Sequence, residues 1–308
     1  MINRKKYSMI LICVVLLTVA LLSGCQKALP ADSSGSVSDD GKRRVVTSFY
    51  PIYISTINIT QGIDSVKVIN LTPAQTGCLH DYQLKPKDLE TLEQADAFII
   101  NGAGMEAFLD DVTSKQPGLN ILDASRGIEL LTDAQGEKNP HVWVSITAAM
   151  SQVRNITDGL ALMDPKNAIR YKQNASLYLS KLDALRKKAA SDLSSLKTRD
   201  IVTFHEAFPY FAKEFNLKIL AVILQDPDTE PTAQQLEATI KIVRESGTKS
   251  LFTEPQYQSN VVRVISDATG AAIRTLDPVV TGESEPGAVN NYIVAMEKNI
   301  AVLKEALG

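Results

Sequence analysis

The stretch Pro165–Leu196, PKNAIRYKQNASLYLSKLDALRKKAASDLSSL, decides how the rest of the chain is interpreted. Its interior has neither glycine nor proline, and Asp164 followed by Pro165 is a typical helix start. Some 30 residues at about 1.5 Å each would form a rod of about 45 Å. Apolar or small residues recur in steps of three and four, at Tyr171, Ala175, Tyr178, Leu182, Leu185, Ala189, Leu193 and Leu196. A coiled-coil dimer seam is one interpretation, but the mixture of Ala and Tyr with Leu favours a helix that lies across two lobes.

On both sides of this stretch, short β-branched runs alternate with helical patterns. The first series predicts strands at Val45–Phe49, Val66–Leu71, Ala97–Asn101 and Asn120–Asp123, and helices at Lys87–Gln94, Met105–Ser114 and Ile146–Leu162. The second predicts strands at Ile201–His205, Lys218–Ile223, Ser250–Thr253 and Ala271–Leu276, and helices at Phe208–Phe215, Ala233–Ser246, Ser259–Thr269 and Ala288–Leu307. Such alternation indicates parallel sheets built from crossover units. The predicted fold is therefore α/β, with two lobes of parallel β-sheets flanked by helices and joined by one long rigid backbone helix.

The N-terminus has the features of an export signal. Three basic residues, Arg4 to Lys6, precede the apolar run Met9–Leu22, which is too short for a comfortable transmembrane span. Leu22-Ser23-Gly24-Cys25 resembles the bacterial lipobox, in which the cysteine is acylated and becomes the new N-terminus. A plain cleavable signal or anchor helix with an incidental cysteine is the alternative. We predict a lipoprotein signal peptide over residues 1–24, with lipid attached at Cys25.

Composition and charge define the remaining organisation. Residues 25–42 are rich in Ser, Asp, Gly and Ala and are expected to form a flexible tether. Beyond it we predict an N-terminal lobe over 43–163, the linking helix over 164–197 and a C-terminal lobe over 198–308. Removal of residues 1–24 leaves 29 basic against 35 acidic residues, so nothing indicates a nucleic-acid partner.

The chain has only three histidines, and they lie in loops or at the ends of predicted strands. His80 follows the second predicted strand, His141 lies beside the only tryptophan, and His205 closes the fifth. Asp277 follows the last strand. Ligands of α/β sheets bind at the carboxyl ends of strands, and three imidazoles with one carboxylate can complete a tetrahedral zinc sphere. Each histidine taken alone is also compatible with a purely structural role.

Five segments combine these residues with distinctive neighbours: Gly77–Asp88 (GCLHDYQLKPKD), Asn139–Ser145 (NPHVWVS), Thr203–Phe215 (TFHEAFPYFAKEF), Phe252–Gln256 (FTEPQ) and Leu276–Pro278. Together with the long helix they resemble the metal-binding receptors, or solute-binding lipoproteins, of bacterial zinc and manganese ABC importers, from about Val45 to the C-terminus. The resemblance implies a metal held between two α/β lobes by His80, His141, His205 and Asp277. It also implies an acid at Glu254, either supporting a ligand or acting as the alternative fourth ligand.

The third histidine indicates which metal is bound. Manganese receptors of this family commonly have a carboxylate at the position of His205, whereas a three-nitrogen site is softer and favours zinc. We expect Zn²⁺ as the transported ligand, with Mn²⁺ as the alternative. The His-rich loop frequent in zinc receptors is absent, and Gly127–Lys138 is acidic and polar instead. Cys78 has the chemistry of a zinc ligand, but we expect it to be a small buried apolar residue.

Two enzymatic patterns compete with this interpretation. Gly102-Ala103-Gly104 follows a strand, and Asp123 lies 21 residues after Gly102, which matches much of a dinucleotide fingerprint. However, the strand is not the first of its series and an exported protein has no access to cellular NAD. A zinc hydrolase is the more serious rival, yet a metalloprotease helix that begins His205-Glu206 needs a second histidine where Pro209 stands.

We therefore predict a non-enzymatic, extracytoplasmic zinc receptor that delivers Zn²⁺ to an ABC permease for import. It is expected to be a monomer anchored by lipid on the outer face of the cell membrane. A manganese receptor of the same family, a zinc-dependent hydrolase and a purely adhesive surface lipoprotein remain the alternatives.

Overall fold

The computed structural model describes residues 41–79, 82–132, 136–224, 231–257 and 260–308. The predicted signal peptide, nearly all of the predicted tether, Cys25 and His80 lie outside these residues. None of the described helices is both long enough and apolar enough to cross a membrane.

The first lobe is a parallel sheet with its strands in the order β2-β1-β3-β4. Its strands are β1 (Arg43–Thr47), β2 (Val66–Asn70), β3 (Ala97–Ile100) and β4 (Ile121–Asp123). Its helices are α1 (Tyr50–Thr60), α2 (Pro86–Glu93), α3 (Leu109–Lys115) and, after a short 3₁₀ turn at Val142–Val144, α4 (Ile146–Met163). Val45 and Val46 of β1 are fully buried because β1 lies inside the sheet, paired with both β2 and β3.

The second lobe repeats this design, with parallel strands in the order β6-β5-β7-β8. Its strands are β5 (Asp200–Thr203), β6 (Lys218–Val222), β7 (Ser250–Thr253) and β8 (Ala272–Thr275). Its helices are α6 (Pro209–Glu214), α7 (Ala233–Ser246), α8 (Asn260–Thr269) and α9 (Asn291–Leu307), the last preceded by a 3₁₀ turn at Pro286–Asn290. The predicted α/β class and the parallel sheets of both lobes are confirmed.

The long helix between the lobes is α5, which runs from Ala168 to Asp192. It is shorter than the predicted 164–197 because Asp164 ends α4 and an irregular turn separates the two helices. The stripe residues Tyr171, Ala175, Tyr178, Leu182, Leu185 and Ala189 are all buried. They pack against α1 and α4 of the first lobe and α9 of the second. The chain's own helices thus cover the stripe, which is not an exposed dimer seam.

Helix α1 has no counterpart in the sequence-based prediction. Its sequence YPIYISTINIT is rich in β-branched residues, and all 11 of its residues are buried. It lies among β1, β2, α4, α5 and the 3₁₀ turn before α9. Because the helix is covered on every side, it lacks the polar face whose periodicity would distinguish a surface helix from a strand.

Hydrogen bonds and apolar packing tie the two lobes together. The indole Nε1–H of Trp143 donates to the carbonyl oxygen of Pro278 at 2.7 Å, and the Tyr292 hydroxyl donates to the Trp143 carbonyl at 2.8 Å. Phe49, Trp143, Phe208 and Tyr292 belong to one apolar core that spans both lobes and α5. This shared core holds the carboxyl ends of the two sheets against each other.

Candidate metal centre

The candidate site lies where loops after the strands of both lobes meet. His205 follows β5 and Glu254 follows β7 directly. The order of strands in the second sheet reverses between β5 and β7, and in open α/β sheets this switch point forms a crevice that binds ligands. His141 comes from the loop between β4 and α4 of the first lobe, and Cys78 from the loop between β2 and α2.

His205 is oriented by a buried carboxylate. Its Nδ1 lies 3.2 Å from Oε1 of Glu254, and both side chains are only 1% exposed. Since a carboxylate only accepts, Nδ1–H donates, and in the neutral ring Nε2 then carries the lone pair. Glu254 Oε2 in turn accepts from Nε2 of Gln256 at 2.7 Å. A histidine whose far nitrogen donates to a carboxylate is a common arrangement in metal sites, because it fixes the ring and raises the basicity of the ligating nitrogen.

His141 is oriented by Asn139 in the same way. The Asn139 amide is itself fixed: its Nδ2 donates to the Glu206 carbonyl at 2.9 Å, and its Oδ1 accepts from the His141 backbone N–H at 2.9 Å. Oδ1 also lies 3.1 Å from Nδ1 of His141. Nδ1–H therefore donates to Asn139, and Nε2 is again the nitrogen with the lone pair. Because Glu206 belongs to the second lobe, these hydrogen bonds of Asn139 also connect the two lobes.

The two imidazoles meet each other and a thiol. The ring centroids of His141 and His205 are 4.8 Å apart, with an interplanar angle of 79°. Sγ of Cys78 lies 3.6 Å from Nε2 of His141. Among the described residues, Cys78, His141 and His205 form a group in which one ligand atom from each lies within 4.8 Å of the others. Soft sulfur and borderline nitrogen donors at this spacing suit zinc better than a hard, oxygen-preferring cation.

The structure does not place the other predicted ligands in this group. His80 lies outside the described residues. Asp277 is not a member of the three-residue group, and its Oδ1 accepts from the Val279 backbone N–H at 2.7 Å. Burial raises the pKa of the Asp277 carboxyl, and the negative charge of Glu254 acts in the same direction. Glu254 occupies the supporting position behind His205, which is one of its two predicted roles.

Cys78 is only half-buried as a residue, but its thiol is desolvated where it faces the imidazoles. This desolvation raises the pKa of the Cys78 thiol well above its usual value, and the negative charge of Glu254 adds to the effect. The sequence predicts a small buried apolar residue here; Cys78 packs against the apolar core, and its sulfur also lies 3.6 Å from Nε2 of His141.

Three further residues of the site do not follow from the motifs alone. Asn139 orients His141, Gln256 donates to the Glu254 carboxylate that orients His205, and the Tyr257 ring lies 6.4 Å from the His205 ring. Tyr257 also reaches the first lobe, since a Cβ added at Gly77 would lie 3.8 Å from its hydroxyl. The spacing Asn-x-His is a signal that identifies Asn139, because an asparagine side chain readily bonds the backbone two residues on. No comparable local signal identifies Tyr257.

The backbone N–H groups of the glycine-rich turn after β3 are already hydrogen-bonded to a side chain of the protein. Glu106 accepts from the backbone N–H of Asn101 at 2.7 Å and of Gly102 at 3.0 Å. Gly102 has φ +76°, and a Cβ there would lie 2.0 Å from Oδ1 of Asp123. A dinucleotide would need these same N–H groups for its phosphates, so the turn supports the fold rather than a nucleotide.

Two α/β lobes joined by a helix, with paired imidazoles where their loops meet, define a two-lobe binding protein. The chain matches the family model described as "ZnuA: Zinc-uptake complex component A periplasmic" over residues 45–306. It belongs to this family of solute-binding transport proteins.

Curated relatives agree with this assignment. The chain is 29% identical over 306 residues to the high-affinity zinc uptake system protein ZnuA of Bacillus subtilis, covering 93% of this chain and 94% of the relative. It is also 29% identical over 308 residues to the zinc-binding lipoprotein AdcA of Streptococcus pneumoniae, covering 94% of this chain. It spans only 60% of the length of that AdcA relative.

Solved structures share the fold. A crystal structure of ZnuA superposes with a TM-score of 0.77 at 26% identity, over 87% of this chain and 100% of the other. Zn(II)-bound AdcA from Streptococcus pneumoniae superposes with a TM-score of 0.76 at 30% identity, over 87% of this chain and 58% of the other. The solute-binding protein FpvC of Pseudomonas aeruginosa, in complex with Mn²⁺, superposes with a TM-score of 0.77 at 28% identity, over 86% of this chain and 98% of the other.

Proposed function

We propose that this chain is an extracytoplasmic receptor that binds Zn²⁺ and delivers it to an ABC permease for import. The family match and the names of the relatives support this function. The observation that carries it is the pair His141 and His205, contributed by different lobes, each with its Nδ1 held by a hydrogen-bond acceptor. Both Nε2 atoms are thereby prepared to bind one cation between the lobes.

Zinc is the proposed cargo rather than manganese. His205 supplies nitrogen where manganese receptors of the family commonly have oxygen, and the Glu254 carboxylate is engaged by His205 and Gln256. Nitrogen donors rank zinc well above manganese in intrinsic affinity. Manganese stays the alternative cargo because Mn²⁺-bound FpvC has a similar fold. Direct competition between Zn²⁺ and Mn²⁺ for the chain distinguishes the two.

The proposed zinc ligands are His141, His205 and, from the sequence, His80. Asp277 is the carboxylate predicted for the fourth position. The proposed function requires the imidazoles and does not depend on which group completes the sphere.

We further infer that the metal is cargo and not a catalyst. Catalytic zinc sites keep one position open for water and hold a general base beside it. Here Glu254 is buried and hydrogen-bonded on both oxygens, and Pro209 begins α6 where a metalloprotease helix would need its second histidine. Zinc-dependent hydrolysis of an ester panel that is lost in His205→Ala would contradict this inference.

We also propose a lipid anchor at Cys25 on the outer face of the cell membrane, with a monomeric receptor tethered by residues 25–42. The lipobox-like sequence supports the anchor, and burial of the α5 stripe within the chain supports the monomer. Metabolic labelling with palmitate should label the chain and not Cys25→Ala; equal labelling of both would contradict the anchor.

The function is tested by titrating zinc against a chromogenic chelator. The wild-type chain should bind one equivalent, while His141→Ala and His205→Ala should each lose at least about a hundredfold in affinity because a ligand is removed. Glu283→Gln, an exposed acid outside the site, is the matched control and should bind like wild type. Unchanged affinity in both histidine variants, in chains shown to be folded by circular dichroism, would exclude this site.

A further inference from the structure

Cys78 has no role in the predicted ligand set, yet it lies inside the candidate centre. It belongs to the loop after β2, two residues before the predicted ligand His80. Its sulfur and one ligand atom each of His141 and His205 lie within 4.8 Å of one another. Such a contact arises either from ordinary packing or because the three side chains bind the same metal ion.

The distance between the sulfur and the imidazole nitrogen matches shared coordination. With Zn–S of about 2.3 Å, Zn–N of about 2.1 Å and a tetrahedral angle, a bound sulfur and nitrogen lie about 3.6 Å apart. Cys78 Sγ and His141 Nε2 are 3.6 Å apart. The nitrogen that faces the sulfur is Nε2, the one that the Asn139 contact leaves with a lone pair. Cys78 thus meets the ligating edge of the ring.

Neither acid of the site is placed as well for the fourth position. The Glu254 oxygens are engaged by His205 Nδ1 and Gln256. Asp277 is not a member of the three-residue group, and its Oδ1 accepts from the Val279 backbone N–H. Among the described side chains, the thiol of Cys78 is the donor that lies with the two imidazoles.

We infer that Cys78 is a zinc ligand, in place of Asp277, and that its sulfur binds the ion together with the imidazole nitrogens of His141 and His205. This inference rests on the proposed function. The zinc–sulfur bond forms as the thiol proton is released to solvent. A thiolate brings one negative charge to the divalent cation, and its softness selects zinc over manganese more strongly than a carboxylate would.

The test is zinc K-edge X-ray absorption of the zinc-loaded full chain in detergent, with Cys13→Ser and Cys25→Ser so that Cys78 is the only cysteine. One sulfur at about 2.3 Å should accompany nitrogen or oxygen at about 2.0–2.1 Å. Adding Cys78→Ser should remove the sulfur shell and weaken zinc binding by more than about tenfold, with a smaller effect on manganese. Asp277→Asn, which keeps an Oδ1 acceptor for Val279, should retain the sulfur shell.

The outcomes separate this inference from the proposed function. A zinc spectrum with nitrogen and oxygen only, in the chain that retains Cys78, would overturn the role of Cys78 and leave the receptor function standing. The same holds if Asp277→Asn loses zinc and Cys78→Ser does not. A chain that binds no zinc under any of these conditions would overturn the proposed function itself.

Discussion

At the scale of single residues, the orientation of each described histidine depends on the group that accepts a hydrogen bond from its Nδ1. The sequence could identify His141 and His205 as candidate ligands because family motifs surround both, and because His205 also closes a predicted strand. The contact between Cys78 and His141 could not, since it joins residues 63 positions apart through the path of an irregular loop. For Glu254 the sequence leaves two roles open, and the tertiary contact with His205 Nδ1 favours the supporting one.

The support that Glu254 gives to His205 leads to a prediction at this scale. Glu254→Gln should weaken zinc binding by about 10–100-fold, because the ring loses a charged acceptor that fixes its tautomer and raises its basicity. The measurement is a competition titration against a chelator, with Glu283→Gln as control. An unchanged dissociation constant for Glu254→Gln would show that the contact does not tune the ligand.

The helices and strands of the fold differ in how well the sequence pattern predicts them. Helix α5 keeps a regular apolar stripe because one face packs on the protein and the other meets solvent, so its periodicity is visible. Helix α1 is buried over its whole length and shows no such period. The strands of both sheets were predicted to within two residues because their β-branched runs are bounded by polar turns. The presence and type of an element therefore follow from the sequence wherever burial is one-sided or a run is short, whereas the ends of α5 do not, since it runs from Ala168 to Asp192 and not over 164–197.

The stripe of α5 is predicted to stabilise the chain from within. Leu182 is fully buried, whereas Leu177 on the same helix is 67% exposed. Leu182→Ala should lower the free energy of unfolding by about 2–5 kcal/mol, and Leu177→Ala by less than about 0.5 kcal/mol. Denaturant unfolding monitored by circular dichroism measures both. Equal effects, or a change from dimer to monomer in either variant, would contradict the burial of the stripe within one chain.

The whole molecule combines two similar lobes with an interface that they share. Alternating strands and helices predict two parallel sheets, but the hydrogen bonds from Trp143 to Pro278 and from Tyr292 to Trp143 depend on residues more than 130 positions apart. No local pattern encodes such pairs. Because these buried contacts join the lobes together with α5, we expect zinc to enter and leave through small movements of loops and not through a wide hinge.

This expectation is tested by small-angle X-ray scattering of the full chain in detergent, before and after addition of one equivalent of zinc. The radius of gyration, after matching the detergent contribution, should be unchanged within error, since the apolar core between the lobes persists. Trp143→Phe, which removes the indole N–H and its hydrogen bond to the Pro278 carbonyl, provides a comparison in which the contact between the lobes is weakened. A clear contraction of the wild-type chain on zinc addition would contradict the shared rigid core.

The central claim is that this chain selects zinc through a nitrogen-rich centre between its lobes. The most direct test equilibrates the full chain with equimolar Zn²⁺ and Mn²⁺, removes unbound metal and measures both elements per chain. We predict about one zinc and no manganese, following the intrinsic preference of such donors. Stoichiometric manganese without zinc, or the absence of both metals, would contradict the claim.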